Sequence, residues 1–176
     1  MIKPKLKALF LVLVSTAFVG QSNSADNSKQ IEVPDSAFKC ITDLAASGAF
    51  FVDNLLGDLD ETLSVANSAD GGKFPAGSLV TLVPNEIMVK HQEGWNPATN
   101  DWEFFLLEVS EEGTTVAARG GVEVQNPAGS CFGCHQLARS EWDLICGIDH
   151  GCAPIPFNRE QIRAVQAADP RCMKEN

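Results

Sequence analysis

The sequence predicts an α+β fold: an antiparallel β-sheet domain preceded by N-terminal helices and closed by a C-terminal helix that carries the chemistry. Three observations predict it. Short β-branched or aromatic runs fill the middle of the chain, separated by clusters rich in Gly, Pro, Asn and Asp. Amphipathic helical patterning is confined to the flanks. A Cys-x-x-Cys-His sequence stands late, at residues 131–135 of 176.

Taken in order, the chain opens with Lys3, Lys5 and Lys7, an apolar run from Ala8 to Val19 and the small, polar "GQSNSA". That run is shorter than the roughly 20 residues needed to cross a bilayer, so residues 1–25 read as a cleaved export signal, cut between Gly20 and Asp26. No cysteine lies there to take a lipid, and no membrane anchor follows. Residues 26–176 form a single domain. Pro34, Asp35 and Ser36 predict the start of a helix running to about Ser47, with Phe38, Ile41 and Leu44 on one side. "AFFVDN" reads as a strand and "DLDETLSVANS" as a helix closed by Gly71 and Gly72. Then come "SLVTLV" (78–83), "EIMVKH" (86–91), "WEFFLLEV" (102–109), "TTVAA" (114–118) and "VEVQ" (122–125), whose rhythm predicts antiparallel hairpins. "QLARSEWDLIC" continues the late motif as helix, and "NREQIRAVQAAD" is a terminal helix stopped by Pro170.

The formal net charge is −10, and loss of the signal removes three lysines and no acid, leaving −13. So acidic a surface repels nucleic acid and anionic lipid and favours a basic partner or a small neutral ligand. The export signal places the mature protein in the periplasm, where an even number of cysteines points to disulfides. If Cys131 and Cys134 are set aside for other chemistry, the remaining four allow three connectivities; Cys146 and Cys152 close most easily on each other, which would leave Cys40 and Cys172 to tie the two ends together.

Three chemistries compete for "CFGCH". Covalent c-type haem attachment needs two thiols to add to the two vinyl groups and a histidine just beyond them to reach the iron; Cys131, Cys134 and His135 meet that need, with His135 as the metal ligand. Structural zinc wants a second ligand pair, and Cys146, His150 and Cys152 are not spaced as one. A thioredoxin-like pair wants a parallel βαβ context that is not apparent. Haem c, one per chain, is the favoured reading.

In the "EIMVKH" strand, alternation puts Glu86, Met88 and Lys90 on one side and Ile87, Val89 and His91 on the other. If the first side faces the haem, Met88 is a pocket wall or a sixth ligand. Lys90 reads as a solvated edge charge, or as the lysine near enough to bond a porphyrin. His91 and His150 are rival sixth ligands, and Trp102, Phe104 and Phe105 supply aromatic bulk for a haem crevice.

From Phe51 to Ile145 the chain resembles the cytochrome P-460 and cytochrome c′-beta family of exported mono-haem proteins, in "FVD", "FPAGSLVTL", "EIMVK", "DWEFF" and "SCFGCHQLARSEWDLI". The resemblance implies attachment at Cys131 and Cys134, proximal ligation by His135 and a distal side open to a small molecule. The lysine that the P-460 branch cross-links to porphyrin falls on Leu82, which argues against hydroxylamine oxidation. The family's distal carboxylate, a proton acceptor, falls on Glu86. "ICGIDHGCAPIPF" lies outside the family pattern. Two functions stay open: capture of a small diatomic or nitrogen-oxide ligand such as NO or CO at an open-site haem, or redox chemistry. The second would be oxidation of a small nitrogen compound (hydroxylamine or NO) with Glu86 as catalytic base, or electron transfer by a six-coordinate haem to a partner protein. A homodimer also stays open.

Overall fold

The computed structural model describes residues 25–172, so the expected export signal lies outside the described residues. Its centre is a six-stranded antiparallel meander in which every strand pairs with its sequence neighbour: β1 (Ala45–Ser47), β2 (Phe50–Asn54), β3 (Ser78–Val83), β4 (Glu86–Lys90), β5 (Trp102–Ser110) and β6 (Gly113–Gly120). A two-stranded ribbon, β7 (Gln125–Asn126) with β8 (Gly129–Ser130), leads into α2 (Cys131–His135). Helix α1 (Leu59–Ala66) lies between β2 and β3, and α3 (Arg159–Ala167) closes the chain. The chain is therefore α+β, as its short β-branched and aromatic runs between turn clusters predict.

The register sorts the side chains into two cores. Val52, Val80, Met88 and Phe104 are successive cross-strand partners and point to one side, where they join Phe74, Trp102, Val124, Leu144 and Ile145. Leu79, Ile87, Val89, Phe105 and Leu107 point to the other and pack on Ala37, Phe38 and Leu44. A sheet covered on both sides reads apolar at consecutive positions, which is why "SLVTLV" and "EIMVK" show little alternation in hydropathy. Each large side chain fully buried here stabilises the fold by about 1.5–3 kcal/mol. Phe105 is thus a partner of Phe38 (ring centroids 5.6 Å apart) on the side away from α2, and the expectation that it lines the crevice with Trp102 and Phe104 is corrected.

Elsewhere the chain departs from its local signals. The helix expected from Pro34 to Ser47 is two 3-10 turns, Asp35–Ala37 and Ile41–Asp43, followed by β1. Competing bonds explain this: Cys40 is joined to Cys172, and the Ile41 N–H donates to the Asp169 carboxylate at 2.9 Å, so the backbone serves the C-terminus instead of a helix ladder. "VEVQ" forms no four-residue strand; Glu123 accepts the Gly121 N–H, a local turn, and β7 begins only at Gln125. Helix α3 begins with the expected capping signal, a reciprocal box between Asn158 and Gln161. Its Gln166 donates to Ala49 and Leu82 carbonyls, and Arg171 binds Asp169 and the Phe38 and Pro84 carbonyls. The disulfides pair as spacing suggested, Cys40 with Cys172 and Cys146 with Cys152. The first closes a separation of 132 residues, and a loop of that order contributes about 4–5 kcal/mol by restricting the unfolded chain.

On the side away from α2, the Glu103 carboxylate accepts from His91 Nε2 at 2.7 Å and from Arg119 Nε and Nη2 at 2.7 and 2.9 Å. Burial alone would raise its pKa, but these hydrogen bonds and the Arg119 charge hold it below the ordinary value. Asp169, desolvated but bonded by Arg171 and the Ile41 N–H, is lowered in the same way. A carboxylate with a lowered folded pKa stabilises above its unfolded pKa and loses that contribution as pH falls through the folded value. Urea midpoints should therefore hold down to about pH 4.3, the ordinary Glu value, and fall progressively below it. Glu103→Gln should start lower at pH 7 and decline less steeply in the acid window; an equally steep acid decline would show that Glu103 does not drive it.

Candidate haem-attachment site

Helix α2 is a single turn of "CFGCH", started by Ser130, whose hydroxyl accepts the Gly133 N–H at 2.9 Å. Upstream, the Cys131 N–H donates to the Val124 carbonyl and anchors the turn to the end of the sheet. One turn is all the chain makes. "QLARSEWDLIC" does not extend the helix as expected: the backbone leaves α2 at Gln136, passes a 3-10 turn at Ser140–Trp142 and reaches Asp143 and Leu144, both in the left-handed region at φ 46° and 66°. Two consecutive left-handed residues that are not glycine cost about 1–2 kcal/mol each and reverse the chain toward α2.

That reversal presents the Leu144 carbonyl to His135, whose Nδ1 donates to it at 2.7 Å. The bond assigns the proton to Nδ1 and leaves Nε2 with its lone pair, the form in which histidine ligates a metal. Nε2 makes no hydrogen bond among the described residues. Burial lowers the pKa of His135 below the ordinary histidine value and so favours the neutral ring, against the opposing, smaller effects of the Leu144 bond and the Glu86 charge. Its ring lies 5.3 Å from that of Phe104, and Cys131 and Phe132 pack on the apolar cluster to which Val52, Val80, Met88 and Phe104 belong.

Cys131 and Cys134 carry free, half-buried thiols, whereas the other four cysteines are all in disulfides. Burial first and then the nearby Glu86 charge push the Cys131 thiol pKa up. A dithiol redox pair needs the opposite, a stabilised thiolate. Among the described residues, no three His, Cys, Asp or Glu side chains stand together as a metal-ligand group, so no second pair completes a four-coordinate zinc site at Cys131 and Cys134.

Glu86 stands on the same face of β4 as Met88; its Oε1 accepts from Asn126 of β7 at 2.8 Å, and its charge is felt by both Cys131 and His135. Met88 is buried in the apolar cluster with Phe104 and Trp102. Lys90 is a correction: far from being an edge charge, it is 2 % exposed, and its Nζ binds both Asp143 oxygens at 2.8 and 2.7 Å and the Asn100 carbonyl. Its amine is therefore committed to Asp143 and is not held ready to bond a porphyrin. His91 is committed too, on the opposite face, with Nδ1 accepting the Ile31 N–H at 2.8 Å and Nε2 facing Glu103. His150 donates from Nδ1 to the Ile145 carbonyl and stacks on Trp142, with ring centroids 3.7 Å apart.

No family model, curated protein or solved structure matches this chain.

Strand alternation put Glu86, Met88 and Lys90 on one side of β4, and the structure turns that side, with Phe104 of β5, toward α2. Sequence reasoning missed the roles of Asp143 and Asn126. Asp143 lies in the quoted "SEWDLI", but nothing in its neighbours signals a left-handed turn. Asn126 gave no local signal, because its partner Glu86 stands 40 residues away.

Proposed function

We propose that this chain is an exported, mono-haem c-type protein that holds a small neutral ligand such as NO or CO at an open iron site. One observation carries the reading: two unpaired thiols and a neutral imidazole with a free Nε2 share one helical turn against an apolar sheet face. The residues fit the group. Cys131 and Cys134 would form the thioether links to haem c, and His135 Nε2 would be the protein ligand to iron. When bound, the haem would supply an iron site for a small molecule and a one-electron couple.

The chain's own side chains supply the remainder. Val52, Val80, Met88, Phe104 and Trp102 offer an apolar wall that penalises charged ligands, since burying an unpaired charge is costly. Glu86, oriented by Asn126 and close enough for its charge to act on Cys131 and His135, is the carboxylate we assign to accept a proton, and it supports oxidation of a small nitrogen compound as the alternative chemistry. Of the candidate sixth ligands, His91 is held by the Ile31 N–H and Glu103, and His150 is bonded to the Ile145 carbonyl and stacked on Trp142, whereas Met88 belongs to the apolar cluster against which α2 packs. The periplasm, the cleaved signal and a redox partner protein belong to the same proposal, as does membership of the cytochrome P-460 and c′-beta family.

Optical spectra of the purified mature protein, oxidised and dithionite-reduced, with and without carbon monoxide, test it. A broad high-spin spectrum that shifts with carbon monoxide is expected. Sharp low-spin bands indifferent to carbon monoxide would replace ligand capture by electron transfer with Met88 bound. A protein that carries no haem after co-expression with a c-type maturation system would overturn the reading.

A further inference from the structure

The strained turn after α2 is held from outside itself. Asp143 is 5 % exposed, and its carboxylate accepts two hydrogen bonds from Lys90 of β4 and one from the Phe74 N–H at 2.9 Å. The Asp143 carbonyl accepts from Trp102 Nε1 of β5 at 2.7 Å. Lys90 in turn reaches the carbonyl of Asn100, which opens a second left-handed pair, Asn100 and Asp101 at φ 49° and 66°, and its Nζ lies 4.9 Å from the Trp102 ring centre. A buried ion pair thus stands between two reversals of the chain, one of which ends at the carbonyl that binds His135. A paired charge buried at this depth is rarely retained for stability alone, since apolar residues of similar volume serve as well. Left-handed conformations at residues other than glycine gather at functional sites, where the surroundings enforce them.

We propose that Lys90 and Asp143 are a positioning pair for His135: the ion pair pins the Asp143–Leu144 reversal so that the Leu144 carbonyl takes the Nδ1 proton and holds Nε2 unprotonated and outward from that bond. Neither residue touches His135; both act through one backbone carbonyl. A hydrogen bond to Nδ1–H makes the ring a stronger donor at Nε2, as partners of metal-bound histidines do. A stronger donor favours ferric over ferrous iron, so loss of the bond raises the reduction potential. This last consequence rests on the haem reading above, whereas the tautomer of His135 belongs to the polypeptide alone.

The test uses the full-length mature chain in two forms. In the protein produced without haem maturation, 15N-histidine NMR reads the tautomer of His135 and the exchange rate of its Nδ1 proton. In the haem-loaded protein, potentiometry reads the midpoint. Asp143→Ala removes the carboxylate; K90M/D143N removes both charges while keeping an acceptor for Phe74 and a residue that tolerates the left-handed region. Val89→Ala, on the far side of the sheet, serves as the control for lost stability. Wild type and Val89→Ala should show one Nδ1–H tautomer and the same midpoint. Asp143→Ala and K90M/D143N should speed exchange at least tenfold and shift the ferric–ferrous equilibrium about tenfold toward ferrous, equivalent to about 59 mV for one electron.

Wild-type exchange and midpoint in either folded variant would overturn the proposal, as would an equal shift in Val89→Ala. If Asp143→Ala does not fold, K90M/D143N decides. If the chain carries no haem, the haem reading falls and the tautomer arm alone sustains or overturns this one.

Discussion

Replacing Cys131 and Cys134 together with alanine should yield a folded, exported protein with no covalent haem. The thiols are half-buried on a single turn and bond to no other residue's sulfur, so their loss removes little packing, about one small buried group each. What disappears is the attachment chemistry, which has no substitute because Cys40, Cys146, Cys152 and Cys172 are committed to disulfides. Haem staining of denatured protein after acid-acetone extraction measures it directly. The expected loss is complete for the double variant and partial for either single one. His135→Ala separates attachment from ligation: covalent haem should remain while the native spectrum is lost. Retention of extraction-resistant haem by the double variant would show that the motif does not attach it.

Lys90→Met should destabilise the protein by about 3–5 kcal/mol, because it strands the Asp143 carboxylate in the interior without its counter-charge. Domains of this size are commonly stable by about 5–15 kcal/mol, so this loss approaches the whole margin. Urea denaturation at pH 7 measures it, and K90M/D143N should recover most of the deficit by removing the stranded charge. The two positions lie within one network, so their effects must not add. Additive losses would mean that the pair is not a unit, and a loss below about 1 kcal/mol for Lys90→Met would place the pair in contact with solvent.

The centre of the fold was legible for a simple reason. β3, β4 and β5 are built from β-branched and aromatic residues whose preference for extended backbone agrees with their burial, and the connections between them contain Pro84 and Asn85, then Gly94, Asn96 and Pro97. α1 and α3 likewise obeyed local rules, with capping at Asn158 the clearest case. The flanks of the site did not. Phe38, Ile41 and Leu44 have helical spacing, yet a disulfide and Asp169 take their backbone elsewhere. "QLARSEWDL" contains good helix formers, yet the run ends because Asp143 is claimed by Lys90, 53 residues earlier in the chain.

The sequence by itself determined the central strands, the close Cys146–Cys152 pair and the Cys131, Cys134 and His135 triplet, because each rests on residue type and short spacing. Only the tertiary structure decided that Glu86 and Met88 face α2, that Lys90 is a buried partner of Asp143, and that His135 carries its proton on Nδ1. Those are contacts between residues dozens of positions apart. They depend on strand register and on two left-handed backbone angles, and local propensity encodes neither.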